Sequence, residues 1–258
     1  MKPAKLVNLA PAVSTEVSRW CFDHWNLPLK EELHVPVFHV VALWLRLTGN
    51  NNRPLVLVDG RKLRSETEIV AYFDERVARE KQLLPEETAS HWFDEEVTYY
   101  RQEFRRKGVV KYMYFNLLQD RKLVMRSFTT GTPYLERLLA RLLFGLVKRG
   151  LFAGLKLSAK GAAEGLHHIR AGFDRTEATL SDGRPYLAGE RFTFLDIAFA
   201  ASAAPALLLE GYRGNLPALE EVPADLQAVV RELRNRPAGK FAQSIYSKHR
   251  SPADPKPA

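Results

Sequence analysis

The first eighty residues alternate short apolar runs with stretches whose apolar positions recur every three or four residues. Leu6-Val7-Asn8-Leu9 reads as a strand, and Val17, Trp20, Cys21 and His24 fall on one face of a helix over 16–25. A second strand is predicted over 29–33. A second helix follows over 38–47, stopped by Gly49 and the Asn50-Asn51-Asn52 turn. Leu55-Val56-Leu57-Val58 reads as a buried strand, and Asp59-Gly60 as a hairpin turn into a strand over 62–64. Ser65 is a good N-cap for a helix over 66–77, with Ile69, Val70 and Phe73 on one stripe.

The predicted order is therefore β-α-β-α-β-β-α, with a crossover between parallel strands and then a hairpin, which is a thioredoxin-like arrangement. Pro54 opens the third strand, where such folds keep a cis-proline. Beyond Pro85 strand signals vanish, and helices are predicted over 91–107, 134–149, 159–180, 195–209 and 224–234. The reading is a thioredoxin-like α/β domain over 1–81, an all-α domain over 82–250, and a flexible Pro-rich tail over 251–258. The polar stretch 82–88 joins the domains, and no internal repeat is present.

Composition narrows this picture. With 258 residues, 46% of them hydrophobic and 26% charged, the chain can bury a real core and is not a disordered polymer. The single cysteine, Cys21, excludes an internal disulfide, and its place on the helix face makes it a core residue. No signal-peptide pattern opens the sequence, and no window is long and apolar enough to span a membrane, so a cytoplasmic location is expected. The formal charge of +8 draws anionic partners, but no nucleic-acid motif accompanies it, and nucleic acid is not expected as a partner. His34 and His39 lack the spacing and acidic company of a metal site, and the adjacent pair His167-His168 points to different helix faces. No metal is expected. The basic, apolar stretch 137–149 reads as a domain helix with charged flanks, with a helix lying in a membrane interface as the alternative.

Four stretches carry a resemblance to a known family. Arg53-Pro54-Leu55-Val56-Leu57-Val58-Asp59-Gly60, with Leu63-Arg64-Ser65-Glu66-Thr67-Glu68-Ile69 and Tyr72-Phe73-Asp74, resembles a block of the soluble glutathione transferases. Tyr186-Leu187-Ala188-Gly189-Glu190-Arg191-Phe192-Thr193-Phe194-Leu195-Asp196-Ile197-Ala198 is similar to that family's helical-domain signature, and its residues can form a capping box. Glu16-Val17-Ser18-Arg19-Trp20-Cys21-Phe22-Asp23-His24 and the end formed by Pro237-Ala238-Gly239-Lys240-Phe241, Tyr246 and His249-Arg250 resemble a bacterial-type subgroup.

The resemblance implies a glutathione transferase fold, a homodimer, glutathione as co-substrate and a hydrophobic electrophile as the second substrate. Catalysis in the family rests on lowering the thiol pKa, since the thiolate is the nucleophile. Ala12 stands where the subgroup carries its usual hydroxyl, which leaves Ser14 and then Thr15 as catalytic candidates, each also a plausible helix cap. Arg53, Pro54, Ser65, Glu66 and His39 are the glutathione-binding candidates, joined by Arg46. The order Ser65-Glu66 reverses the family's Glu-Ser, so Glu66 either meets the ligand's ammonium or is a plain first-turn residue. Tyr100, Phe104 and Tyr112 are candidates for binding the electrophile, and Tyr99 and Tyr114 extend this aromatic-rich region. The missing hydroxyl supports a rival reading, a transferase-fold binding or interaction protein without catalysis.

Overall fold

A computed structural model describes residues 3–45, 54–85 and 91–250. By contacts it divides into two compact units, Met1–Leu84 with Leu118–Lys156, and Pro85–Leu117 with Leu157–Ala258.

The first unit is built on a four-stranded sheet in the order β2-β1-β3-β4, comprising β1 (Ala4–Leu9), β2 (Leu29–His34), β3 (Leu55–Val58) and β4 (Arg61–Leu63). β1 and β2 run parallel, while β3 is antiparallel to both β1 and β4. The thioredoxin-like topology is the one predicted. Asp59 and Gly60, at φ 45° and 77°, supply the two left-handed residues that the two-residue turn between β3 and β4 demands.

Helices α1 (Val13–Trp25), α2 (Phe38–Leu45) and α3 (Glu66–Asp74) complete the predicted elements. Val7 and Leu55 of the sheet pack with Ala42 and Leu43 of α2. α1 and α3 meet through a cluster of Phe22, Trp25 and Phe73, with the Phe22 and Phe73 ring centroids 4.6 Å apart. Cys21 is buried in this layer, as the helix face required. Trp25 donates to Asp74, whose carboxylate also accepts the Leu83 and Leu84 amides at 2.7 Å each, tying down the chain that leaves the sheet. The predicted turn at Asn50-Asn51-Asn52 and the predicted tail over 251–258 lie outside the described residues.

Three further helices belong to this first unit: α6 (Arg121–Thr129), α7 (Tyr134–Leu142) and α8 (Phe144–Gly154). The single helix predicted over 134–149 is thus two, broken at Leu143. The sequence pattern does not announce α6, although Asp120 caps it by accepting the Lys122 and Leu123 amides. Val35, Met125 and Ala140 form a small core with Phe38 and Phe144 packed against it, so these helices cover the turn between β2 and α2.

The second unit is helical. α4 (His91–Tyr99) runs into a π-helical stretch (Tyr100–Val110) and then α5 (Lys111–Leu117); α9 (Ala159–Thr179), α10 (Phe194–Leu207), α11 (Ala224–Asn235) and α12 (Pro237–His249) follow. Every residue of α10 is buried, so it is apolar on all sides, and its start is fixed by Asp196. That carboxylate accepts the Thr193 amide and hydroxyl on one oxygen and the Leu187 amide on the other. Gly172 of α9 lies so close to Phe104 that a Cβ there would sit 2.3 Å from the ring.

Candidate functional site

Three helix N-termini gather at one end of the sheet. β1, β2 and β4 all run toward that end, since β1 and β2 are parallel and β4 is twice antiparallel to β1 through β3. α1 therefore starts beside the carboxyl end of β1, α2 beyond that of β2 and α3 beyond that of β4. The register Val7↔Leu55 brings Asn8 and Pro54 to the same level, one step farther on. In sheets of this kind ligands bind outside the carboxyl ends of parallel strands.

The start of α1 is unusual. Its N-cap is Ala12, which has no side-chain acceptor, so no side chain caps the first-turn amides. Ser14, in that first turn and half-buried, accepts a 3.0 Å hydrogen bond from the Asn8 side-chain amide. With its oxygen engaged as acceptor, the hydroxyl can give its proton to an anion. Thr15 is placed differently: it is fully buried and its hydroxyl donates to the Leu9 carbonyl at 2.8 Å. That bond ties α1 to the end of β1, and it leaves Thr15 no proton to offer a sulfur anion.

α3 begins at Ser65, whose oxygen accepts the Glu68 amide at 3.1 Å. Ser65 is thus a cap, and Glu66, almost wholly buried, lies in the first turn where the helix field favours a carboxylate. Pro54 is buried at the entry to β3. Arg46 and Arg53 fall outside the described residues.

His39 is buried in α2, and its Nδ1 has no hydrogen-bond partner among the described residues. Burial pushes its pKa down to about 4, so the imidazole is neutral at pH 7. Beside it, Val37 holds a left-handed φ of 77°, a costly conformation for a β-branched residue. Sequence reasoning missed what frames this corner. His34 Nδ1 lies 2.7 Å from Glu136 of α7, His34 Nε2 lies 3.1 Å from Glu32, and Glu136 also accepts the Val35 amide. Asn8 was missed too, though a polar residue second from the end of an apolar strand was a visible anomaly. Arg19 grips Glu31 through two hydrogen bonds of 2.8 and 2.7 Å, so this part of the Arg-Trp motif joins α1 to β2.

The aromatic candidates lie in the second unit and divide. Tyr100 and Phe104 are core residues, in ring contact with each other and with Phe199, and Phe104 also meets Phe173. The Tyr100 hydroxyl is bonded to Thr176, and burial holds its pKa well above the usual range. This corrects their reading as ligand-facing side chains: the helical period that aligned them also aligned them with the core. Tyr112 is half-buried, with its pKa raised chiefly by burial. No group of three metal-ligating side chains occurs among the described residues. None of the described helices is long and apolar enough to cross a membrane.

No protein-family model matches the sequence, and no curated protein matches it either. Solved structures do match. A glutathione transferase homologue from Drosophila mojavensis, with bound glutathione, is 16% identical with a TM-score of 0.55, covering 96% of this chain and 98% of that one. A glutathione S-transferase from Rhodospirillum rubrum is 16% identical with a TM-score of 0.54, covering 96% of each. The beta-etherase LigF from Sphingobium sp. strain SYK-6 is 17% identical with a TM-score of 0.52, covering 93% and 98%. A thioredoxin-like sheet followed by an all-helical unit, aligned over nearly the full length of these proteins, gives the chain the glutathione transferase fold.

Proposed function

We propose that the protein binds glutathione at the carboxyl end of its sheet and transfers it to, or removes it from, a hydrophobic electrophilic small molecule. The observation that carries this reading is the open start of α1. Ala12 offers the first-turn amides no side-chain acceptor, and Asn8 holds the Ser14 oxygen so that its hydrogen is available. Amides and hydroxyl together suit a sulfur anion, because the positive end of the helix favours negative charge. A thiol near its ordinary pKa of about 8.5 is mostly protonated at pH 7, and stabilising its anion raises the nucleophilic fraction directly.

Pro54, level with Asn8, supports a place for the cysteinyl backbone of glutathione. The start of α3, with Ser65 and Glu66, supports one for its γ-glutamyl end: the amides meet the carboxylate and Glu66 the ammonium. Arg53 and His39 are further contacts in this reading. Tyr112 is the aromatic candidate retained for the electrophile. The enzyme is proposed to be cytoplasmic and to act as a homodimer, in keeping with the resemblance of its sequence.

One observation favours a second reading, a transferase-fold binding or interaction protein without catalysis: the Ser65 oxygen, expected to anchor glutathione, is already taken by the Glu68 amide. Calorimetric titration with glutathione, paired with a conjugation assay on an aromatic electrophile, decides between them. Heat together with turnover supports the enzyme, and heat without turnover the binding protein. No heat at millimolar glutathione would sink the enzyme and leave the interaction protein.

A further inference from the structure

The chain's positive charge is not spread evenly. Residues 120–156 hold eight Lys and Arg against two carboxylates, an excess of six out of the chain's excess of eight. Glu136 is turned onto His34 and the Val35 amide, and Asp120, though exposed, is engaged in capping α6, so it offsets only one of the segment's cations. What this segment presents outward is cationic, with Arg121, Lys122, Arg126, Arg141, Arg149 and Lys156 all exposed.

The same segment exposes large apolar side chains. Tyr134, Leu135, Leu138 and Leu142 form one face of α7, and Leu143 and Leu146 continue it into α8. Leu142 and Leu146 are 71% and 66% exposed. α2 meets these helices through Phe38 and adds exposed Val41, Trp44 and Leu45. Monomeric soluble proteins rarely expose contiguous large apolar side chains of this kind, and where they do the patch marks a partner or membrane surface.

From this arrangement we propose that α7 and α8 dock the protein onto an anionic lipid surface, lying in the interface with their leucines among the acyl chains. An apolar stripe bordered by arginine and lysine is what such an interface selects: burial of apolar area supplies adhesion and the basic residues meet the headgroups. Trp44, exposed on α2, is a residue type that favours the boundary between headgroup and hydrocarbon. A second copy of the chain is a poor occupant, because a two-fold contact would set this cationic face against itself. Docking differs from spanning, since neither helix has the length to cross the bilayer.

The test is sedimentation of the full-length protein with vesicles of phosphatidylcholine alone and of phosphatidylcholine with phosphatidylglycerol. The protein is expected to pellet with the anionic vesicles and not the neutral ones, and to be released as salt rises. Replacing both exposed leucines, Leu142→Glu with Leu146→Glu, should weaken partitioning by about tenfold or more. Arg141→Glu with Arg149→Glu, which lowers the segment's positive excess from six to two, should weaken the preference for anionic lipid. All four side chains are exposed, so unchanged thermal melts of the variants are the check on folding. Protein left in the supernatant at low salt, equal pelleting with both vesicles, or pelleting unaffected by the leucine substitutions would each overturn the proposal. So would self-association that the leucine variant abolishes in the absence of vesicle binding, since the face would then join two copies.

Discussion

Ser14 and His39 show how much one side chain's surroundings decide. If the Ser14 hydroxyl steadies a thiolate, Ser14→Ala should lower turnover about tenfold, or about 1.4 kcal/mol in the transition state, with a smaller effect on glutathione affinity. Asn8→Ala should follow in the same direction, because it frees the Ser14 oxygen to turn away; steady-state kinetics of the two variants read this directly. His39 sets an acid limit on stability. Its pKa falls from 6.5 to about 4 on folding, so the unfolded chain binds the extra proton and stability is lost as pH drops through that window. Asp196 slopes the other way: burial raises it from 3.8 to about 6, and its contribution is lost as pH rises through that range. The whole-protein profile mixes the two. The stability of wild type relative to His39→Leu is therefore the informative measure, and denaturant titrations should show it shrinking from pH 6.5 to pH 4.

Among elements, those with strong local signals were legible: the alternating strands, the Asp59-Gly60 turn, α3 with its Ser65 cap and α10 with its Asp196 anchor. What escaped lacked such signals or hid them. The break at Leu143 carries neither proline nor glycine at the joint, and α12 starts at Pro237 directly after α11, with only Arg236 between. The candidate site was legible as types of residue but not as roles. Sequence cannot say which hydroxyl is spent on the backbone, as Thr15 is, or that Tyr100 and Phe104 face inward. The Glu136 latch was invisible because it joins residues a hundred positions apart. Its removal is a clean test of how α7 is held: Glu136→Ala strips the Val35 amide and His34 of their partner and should cost about 1–3 kcal/mol. Hydrogen exchange should quicken at Val35 and along α7. In the second unit, Gly172→Ala should cost a similar 1–3 kcal/mol, because the added methyl drives into the Phe104 ring. Thermal melts would register it.

At the scale of the molecule, the division into units departs from the order of the chain. The sequence places a boundary near residue 81 and assigns everything after it to the helical domain, since composition cannot reveal which partner a helix packs against. By contacts, residues 118–156 join the sheet's unit instead. A fragment ending at Leu84 should consequently bind a hydrophobic dye and melt at lower temperature than the same unit within the intact protein, because Val35 and Phe38 lose the cover of Met125, Ala140 and Phe144. This has a bearing on synthesis. As the chain leaves the ribosome, the sheet and its first three helices emerge well before the segment that clothes one side of them. Through that interval the nascent protein must either wait with a raw flank or be shielded by a chaperone, and slowing of translation between Leu84 and Lys156 would prolong its exposure.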